Sequence, residues 1–227
     1  MYGWRSSAIN GVVPFVDRTE AGRELGAAVV ARLRPDEDAV VLGLPRGGVV
    51  VAAEVARLTR KPLDVVVVRK IGAPENEEFA IGAVGEEGKP ILNEAAVGEF
   101  AIDDEYVVMA ARRAREETRR RVAAYRPGPR LAVAGKTAVL VDDGVATGAT
   151  VEAAIETVRR WGAGRVVVAV PIISRQAEAR LRGRVDDLVA LFVPRVFLAV
   201  GQFYEDFPQV TDDQVKALLA RGREKAA

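Results

Sequence analysis

Five short runs of Val, Leu, Ile and Ala, at 39–44, 63–68, 138–141, 165–170 and 188–193, constrain this chain more than any other feature. They are continuous rather than alternating, the pattern of strands buried on both faces of a parallel sheet. Between them the apolar residues take helical spacing. In 148–161, Val151, Ile155, Val158 and Trp161 fall on one stripe, and Gly162 supplies a stop. Asp17 and Glu20 have capping-box spacing for a helix running through Leu25 and Val29 to Leu33, which Pro35 closes. A longer helix is predicted over 104–125, with Val107, Ala111, Ala114, Thr118, Val122 and Tyr125 on its buried side. Strand then helix, repeated over 227 residues, predicts a single α/β domain with a central, mainly parallel, doubly wound sheet.

The chain contains neither cysteine nor histidine. That removes disulfides, Cys/His zinc sites, thiol catalysis and a histidine base. Acid–base work falls to Asp, Glu, Lys or Tyr, and a carboxylate-bound Mg²⁺ stays open. A net charge of +1 gives no global field for nucleic acid or an anionic membrane, so attraction for anions must be local. The run RRAREETRRR is interrupted by Glu116 and Glu117 and reads as a solvated helix face. No apolar run approaches the roughly 20 residues that span a bilayer, and residues 1–18 lack a secretory pattern. A cytoplasmic protein acting on small molecules, with no nucleic-acid or membrane partner, is expected.

In open α/β sheets, ligands bind beyond the carboxyl ends of the strands. Three such junctions stand out. LPRGGVVVA, 44–52, ends a strand, fixes one dihedral at Pro45 and opens a helix at Gly47 and Gly48, while Arg46 offers a planar fork of donors. VDDGVATGAT, 141–150, places Asp142 and Asp143 before a small-residue turn of Gly144, Val145, Ala146, Thr147, Gly148, Ala149 and Thr150. It matches neither GxxxxGK[ST] nor GxGxxG. Carboxylates beside an anion seat conflict unless one ligand carries both partners. A sugar phosphate does, with its phosphate in the turn and its vicinal hydroxyls donating to the acids. The third junction, 65–90, sends Arg69 and Lys70 from a strand tip into a Gly-, Pro- and Glu-rich stretch, read as a mobile flap over 71–88 in preference to an exposed hairpin.

These residues resemble the type I phosphoribosyltransferases. AVLVDDGVATGAT, 138–150, is similar to that superfamily's motif for phosphoribosyl diphosphate (PRPP), with Gly144 where Val or Ile is usual. The chain looks closest to an uncharacterised group of the superfamily that shares its RTEAGREL start, RKIGAPENEEFAIGAV loop and FYEDFPQV tail. The resemblance implies a core over about 17–192 and a hood from about 1–16 and 193–220 in one domain. It implies PRPP bound with Mg²⁺: the ribose on Asp142 and Asp143, the 5′-phosphate in 144–150, and the pyrophosphate on Pro45, Arg46, Gly47, Gly48, Arg69 and Lys70. The metal is carried mainly by PRPP, with Asp142 and Asp143 as its protein ligands. Asp142, Asp143, Arg69 and Lys70 form the implied catalytic set, and Phe197, Phe203 and Tyr204 the acceptor side. A nitrogen acceptor such as a nucleobase would then displace pyrophosphate, and the superfamily implies a homodimer. The alternative is a protein that keeps the motif to sense PRPP or a nucleotide without transfer.

Overall fold

The computed structural model describes residues 14–74, 76–88, 90–93, 97–98, 102–126 and 128–224. Residues 1–13 of the expected hood, and Glu75 of the expected flap, lie outside them. The chain opens with α1 (Arg18–Val30), β1 (Ala39–Gly43), α2 (Gly47–Thr59) and β2 (Leu63–Val65). A smaller unit follows: β3 (Arg69–Ala73), β4 (Asn76–Val84), β5 (Pro90–Leu92) and α3 (Asp104–Tyr125). The second half alternates β6 (Thr137–Val141), α4 (Ala149–Arg160), β7 (Arg165–Ile172), α5 (Arg175–Arg182) and β8 (Asp187–Phe192). A 3₁₀ turn (Val200–Phe203) and α6 (Asp212–Glu224) end the described chain. No helix among the described residues is long and apolar enough to cross a membrane.

The main sheet is five-stranded and parallel, in the order β2–β1–β6–β7–β8. Its two faces divide the Val/Leu runs between them, which is why those runs are continuous. Val41, Val139, Val141, Val167 and Ala169 pack under α1, α2 and α6, against Leu25, Val29, Val55, Val215 and Leu219. Val40, Leu42, Leu140, Val168 and Val170 pack under α4 and α5, against Ile155, Val158, Ala177 and Leu181. The doubly wound α/β fold follows.

The α1 cap works through both acids. The Asp17 carboxylate accepts from the Glu20 N–H at 2.8 Å, while Glu20 reaches back to the Val16 N–H at 2.5 Å. The helix stops at Val30, short of Leu33, because the Arg32 and Leu33 N–H groups both turn onto the Val29 carbonyl. The run at 63–68 also yields a shorter strand than its composition suggests. Past Leu63–Val65, side chains take the backbone groups: Arg126 donates to the Val65 carbonyl at 2.5 Å, and the Val67 N–H donates to Glu86 at 3.1 Å.

The stretch read as a flap is built as an antiparallel three-stranded sheet. Its Ile71, Ala73, Ile81 and Val84 bury against Val107, Ala111 and Ala114 of α3, which accounts for that helix's apolar stripe. The turn at 85–88 is anchored to the core. Arg126, only 6% exposed, joins Glu86 at 2.7 Å to the fully buried Asp64 at 2.9 Å. Glu87 accepts from the Trp161 indole, and Arg115 donates to the Gly88 carbonyl at 2.7 Å.

At the amino ends of the strands, away from the ligand edge, Glu37 draws β1, β6 and β7 together. It accepts from the Thr137 hydroxyl at 2.6 Å, Arg165 at 2.9 Å and the Arg34 N–H at 3.0 Å. Burial alone would raise its pKa, but these three donors outweigh burial and hold it at about 2. A depressed carboxyl stabilises the fold above the unfolded value of roughly 4.3 and loses that contribution as pH falls towards 2. Glu37→Gln is therefore expected to cost about 2 kcal/mol at pH 7. The deficit should close between about pH 4.5 and 2 in melts across that range. A deficit constant with pH would show that the charge of Glu37 is not what holds the strand ends.

Candidate functional site

Strand order reverses between β1 and β6: the chain leaves β1 for β2 on one side, then returns through β6 to β7 and β8 on the other. Such a switch point opens a crevice at the carboxyl ends of its two strands. Here the Leu44 N–H donates to the Val141 carbonyl at 2.9 Å, so the segments at 45–48 and 142–150 leave the sheet side by side. Helices α2 and α4 begin directly after them, aiming two helix amino termini at one place.

The approach is close enough to require glycine. A Cβ on Gly48 would lie 2.8 Å from the Cα and Oδ1 of Asp142, and one on Gly47 would overlap the Asp143 carboxylate. Gly148, the N-cap of α4, has φ +84°, a conformation glycine adopts without strain. The intervening turn is pinned to α5. Val145 donates to the Ile172 carbonyl, the Ser174 N–H donates to the Val145 carbonyl, and the Ser174 hydroxyl donates to the Ala146 carbonyl. Ala146 and Thr147 remain exposed, with Ala149 and Thr150 half-buried, so the turn presents backbone and hydroxyl groups to solvent.

The two acids are differently held. Asp143 Oδ2 accepts from Arg18 Nε at 2.7 Å, while Asp142 Oδ1 accepts from the Asp143 N–H at 2.9 Å. Beyond the side-chain contact that Asp142 and Asp143 make with each other, Arg18 Nε and the Asp143 N–H are the donors that meet these half-buried carboxylates among the described residues. Burial, then the neighbouring Asp143 charge, pushes Asp142 well above the usual carboxylate range, although the Arg18 charge opposes this. Among the described residues no three His, Cys, Asp or Glu side chains converge as a metal cage. Two carboxylates suit a hard cation whose remaining ligands come from a diphosphate.

Arg46 is half-exposed at the N-cap of α2, after a cis Pro45–Arg46 peptide, with its guanidinium 3.9 Å from Asp212. The Tyr125 hydroxyl donates to the same Asp212 oxygen at 2.7 Å. Burial, then that bond, raises the Tyr125 pKa to about 12. Arg69 is exposed and Lys70 half-buried at the start of β3, in register with Val84 and Ala83. Of the residues expected to face an acceptor, Phe203 and Tyr204 are 6% and 5% exposed, within a cluster including Phe15 and Ile172. Phe197 is the half-exposed ring, 5.3 Å from Phe203. Tyr204 braces the acid loop instead, donating its hydroxyl to the Asp143 carbonyl at 2.6 Å, and burial followed by the Asp143 charge raises its pKa.

A profile of the phosphoribosyl transferase domain matches residues 20–207. The chain belongs to the phosphoribosyl transferase domain family. Curated proteins from two Mycobacterium tuberculosis strains, both provisionally named phosphoribosyl transferase, are 47% identical over 208 residues, 91% of this chain and 46% of their own length. The chain thus spans about half the length of the curated relatives it matches. A crystal structure of a Thermus thermophilus protein superposes with a TM-score of 0.81 at 50% identity, covering 91% of this chain and 98% of that one.

Within this phosphoribosyl transferase domain the structure accounts for Gly144. A Cβ there would overlap Cγ1 of Val200, which packs directly on the acid turn from the 3₁₀ segment. The motif's missing bulk is supplied from across the chain. Arg18, Ser174, Val200 and Asp212 thereby join the site, none of them marked by the motif. Gly144→Val is expected to destabilise the protein by about 1–3 kcal/mol through overpacking. Combining it with Val200→Ala should recover much of that loss in denaturant titrations. Strictly additive losses would mean that the two residues do not share this space.

Proposed function

We propose that this domain transfers the 5-phosphoribosyl group of PRPP to a nitrogen acceptor of the nucleobase type, releasing pyrophosphate. One observation carries the reading: at the switch point, a pair of adjacent carboxylates lies between the glycine-opened start of α2 and the glycine- and hydroxyl-rich turn before α4. PRPP has that order of groups, with a vicinal diol between a diphosphate and a phosphate monoester. The diol donates to Asp142 and Asp143, while amides of 146–150 and the hydroxyls of Thr147 and Thr150 receive the 5′-phosphate. Arg46 and the Gly47 and Gly48 amides take the diphosphate, with Arg69 and Lys70 supplied from β3.

Transfer breaks the bond between C1′ and a diphosphate oxygen, and the acceptor nitrogen forms the new bond to C1′ before losing its proton. Negative charge grows on the departing oxygen, where Arg46 and the α2 amino terminus oppose it, and positive charge grows on the sugar, facing the Asp pair. Mg²⁺ arrives as part of the substrate and neutralises diphosphate charge. We assign the acceptor's proton to Asp143. Phe197 offers the acceptor a ring to stack on.

The raised titration of Asp142 ties activity to stability. The folded state holds that proton more tightly than the unfolded chain, so stability falls as pH rises from the ordinary carboxylate range through the raised value. Asp142→Asn keeps the Oδ1 acceptor and removes this penalty. The variant should melt above the unmodified chain at pH 7, with the gap closing towards pH 4. With PRPP–Mg²⁺ at about a hundred times Kd, the unmodified chain should gain roughly 5–10 °C, and Asp142→Asn almost nothing. Equal stabilisation of both proteins would remove the ribose-contact role. Pyrophosphate release across a panel of purines, pyrimidines and orotate then tests transfer, and binding without release for every acceptor would favour a sensor.

A further inference from the structure

Arg18 is buried, yet it lies outside the motif and outside every loop that reads as a phosphate seat. Its side chain is only 9% exposed at the first position of α1. Nε donates to Asp143 Oδ2 at 2.7 Å, and Nη1 donates to the Pro208 carbonyl at 2.8 Å. The flat guanidinium also lies 3.6 Å over the Phe207 ring. Phe207 in turn stacks on Tyr204 at 4.8 Å, and the Tyr204 hydroxyl donates to the Asp143 carbonyl. The contacts close a circuit from Asp143 through Arg18, Phe207 and Tyr204 back to Asp143, so that residue is gripped at both side chain and main chain.

A salt bridge that served only to hold the tail could have used any acid. This one takes a carboxylate with an assigned chemical task, and takes only one of its oxygens. We propose that Arg18 is a positioning residue for phosphoribosyl transfer, engaging Asp143 Oδ2 so that Oδ1 is presented to the ribose and coupling that presentation to the hood through Phe207 and Pro208. The inference rests on the PRPP reading above. Lysine does not replace it fully, because one ammonium cannot give the planar stack and the paired donors together. Arg18 also supplies the positive charge beside two adjacent carboxylates, which lowers the cost of keeping both at one strand tip.

A selective binding test separates this role from general support. PRPP–Mg²⁺ needs the ribose carboxylates, whereas inorganic pyrophosphate–Mg²⁺ needs only the segment at 45–48 and its neighbours. In the full chain, Arg18→Met should weaken PRPP–Mg²⁺ about tenfold or more by calorimetry, the loss of a charged hydrogen bond. Its pyrophosphate–Mg²⁺ affinity should stay within about twofold of the unmodified chain, a change of under half a kcal/mol. Arg18→Lys, which keeps the charge, should fall between, with PRPP–Mg²⁺ weakened about threefold and pyrophosphate–Mg²⁺ unchanged. Parallel weakening of both probes, or unchanged PRPP affinity, would overturn the positioning role. Should Arg18→Met fail to fold, the lysine variant carries the same comparison. If the unmodified chain binds neither probe, the PRPP reading itself fails, and the inference with it.

Discussion

Ionised carboxylates at Asp142 and Asp143 repel each other at the tip of a strand whose own residues are all buried, and placing them there is costly unless donors meet them. The rest of the site is arranged around that cost. Arg18 answers Asp143, and the Asp143 N–H answers Asp142. The amino termini of α2 and α4 add favourable dipoles from two directions. The compensation is uneven, because no side-chain cation among the described residues hydrogen-bonds Asp142, and the residual penalty appears there as a raised titration. A site that keeps an unrelieved penalty is one that a ligand can relieve, and a diol or a bound cation would relieve this one.

The same crowding dictates the backbone. Two loops can flank the acid pair only if one of them passes against it without side chains, and Gly47 and Gly48 provide that passage. Switch-point geometry then fixes the distance between the two amino-terminal anion seats through the pairing of β1 with β6 from Ala39↔Thr137 to Gly43↔Val141. On the PRPP reading, ligand length would thus be set by sheet register, a rigid feature, and acceptor choice would be left to the segment after β8.

Much of this was legible in the chain's local patterns. Continuous apolar runs specify strands covered on both sides, and small, hydroxylic or glycine residues after such a run specify a turn that can approach an anion. Residues that act across long sequence separations had no such mark. Arg18 and Arg126 look like any other arginine in an arginine-rich chain, although their partners lie 125 and 62 residues away. Asp64 was the one available clue to Arg126, since a carboxylate inside an apolar run needs buried donors. Gly144 was visible as a departure from the motif, but its cause was not, because Val200 reaches it only in the folded chain. The stretch at 71–88 reads as a mobile flap from its glycine, proline and glutamate, and its strand pairing is not evident there because it depends on spaced Ile71, Ile81 and Val84 meeting α3.

The two elements that flank the site are fastened in different ways, which under the proposed function would bear on how an acceptor is chosen. The β3–β5 sheet is tied at its 85–88 turn to the core by Arg126, Arg115 and Trp161, none of which touches the acid pair. The segment after β8 is tied to the acid pair itself, by Arg18 on Phe207, Tyr204 on the Asp143 carbonyl and Val200 on Gly144. Under the proposed function, an acceptor that displaced Phe197 or the 3₁₀ turn would therefore pull on the carboxylates assigned to the sugar, whereas movement of β3 and β4 would not. Acceptor binding and ribose binding would then share one set of contacts, and in such an arrangement the affinity for either is altered by the other in equal measure.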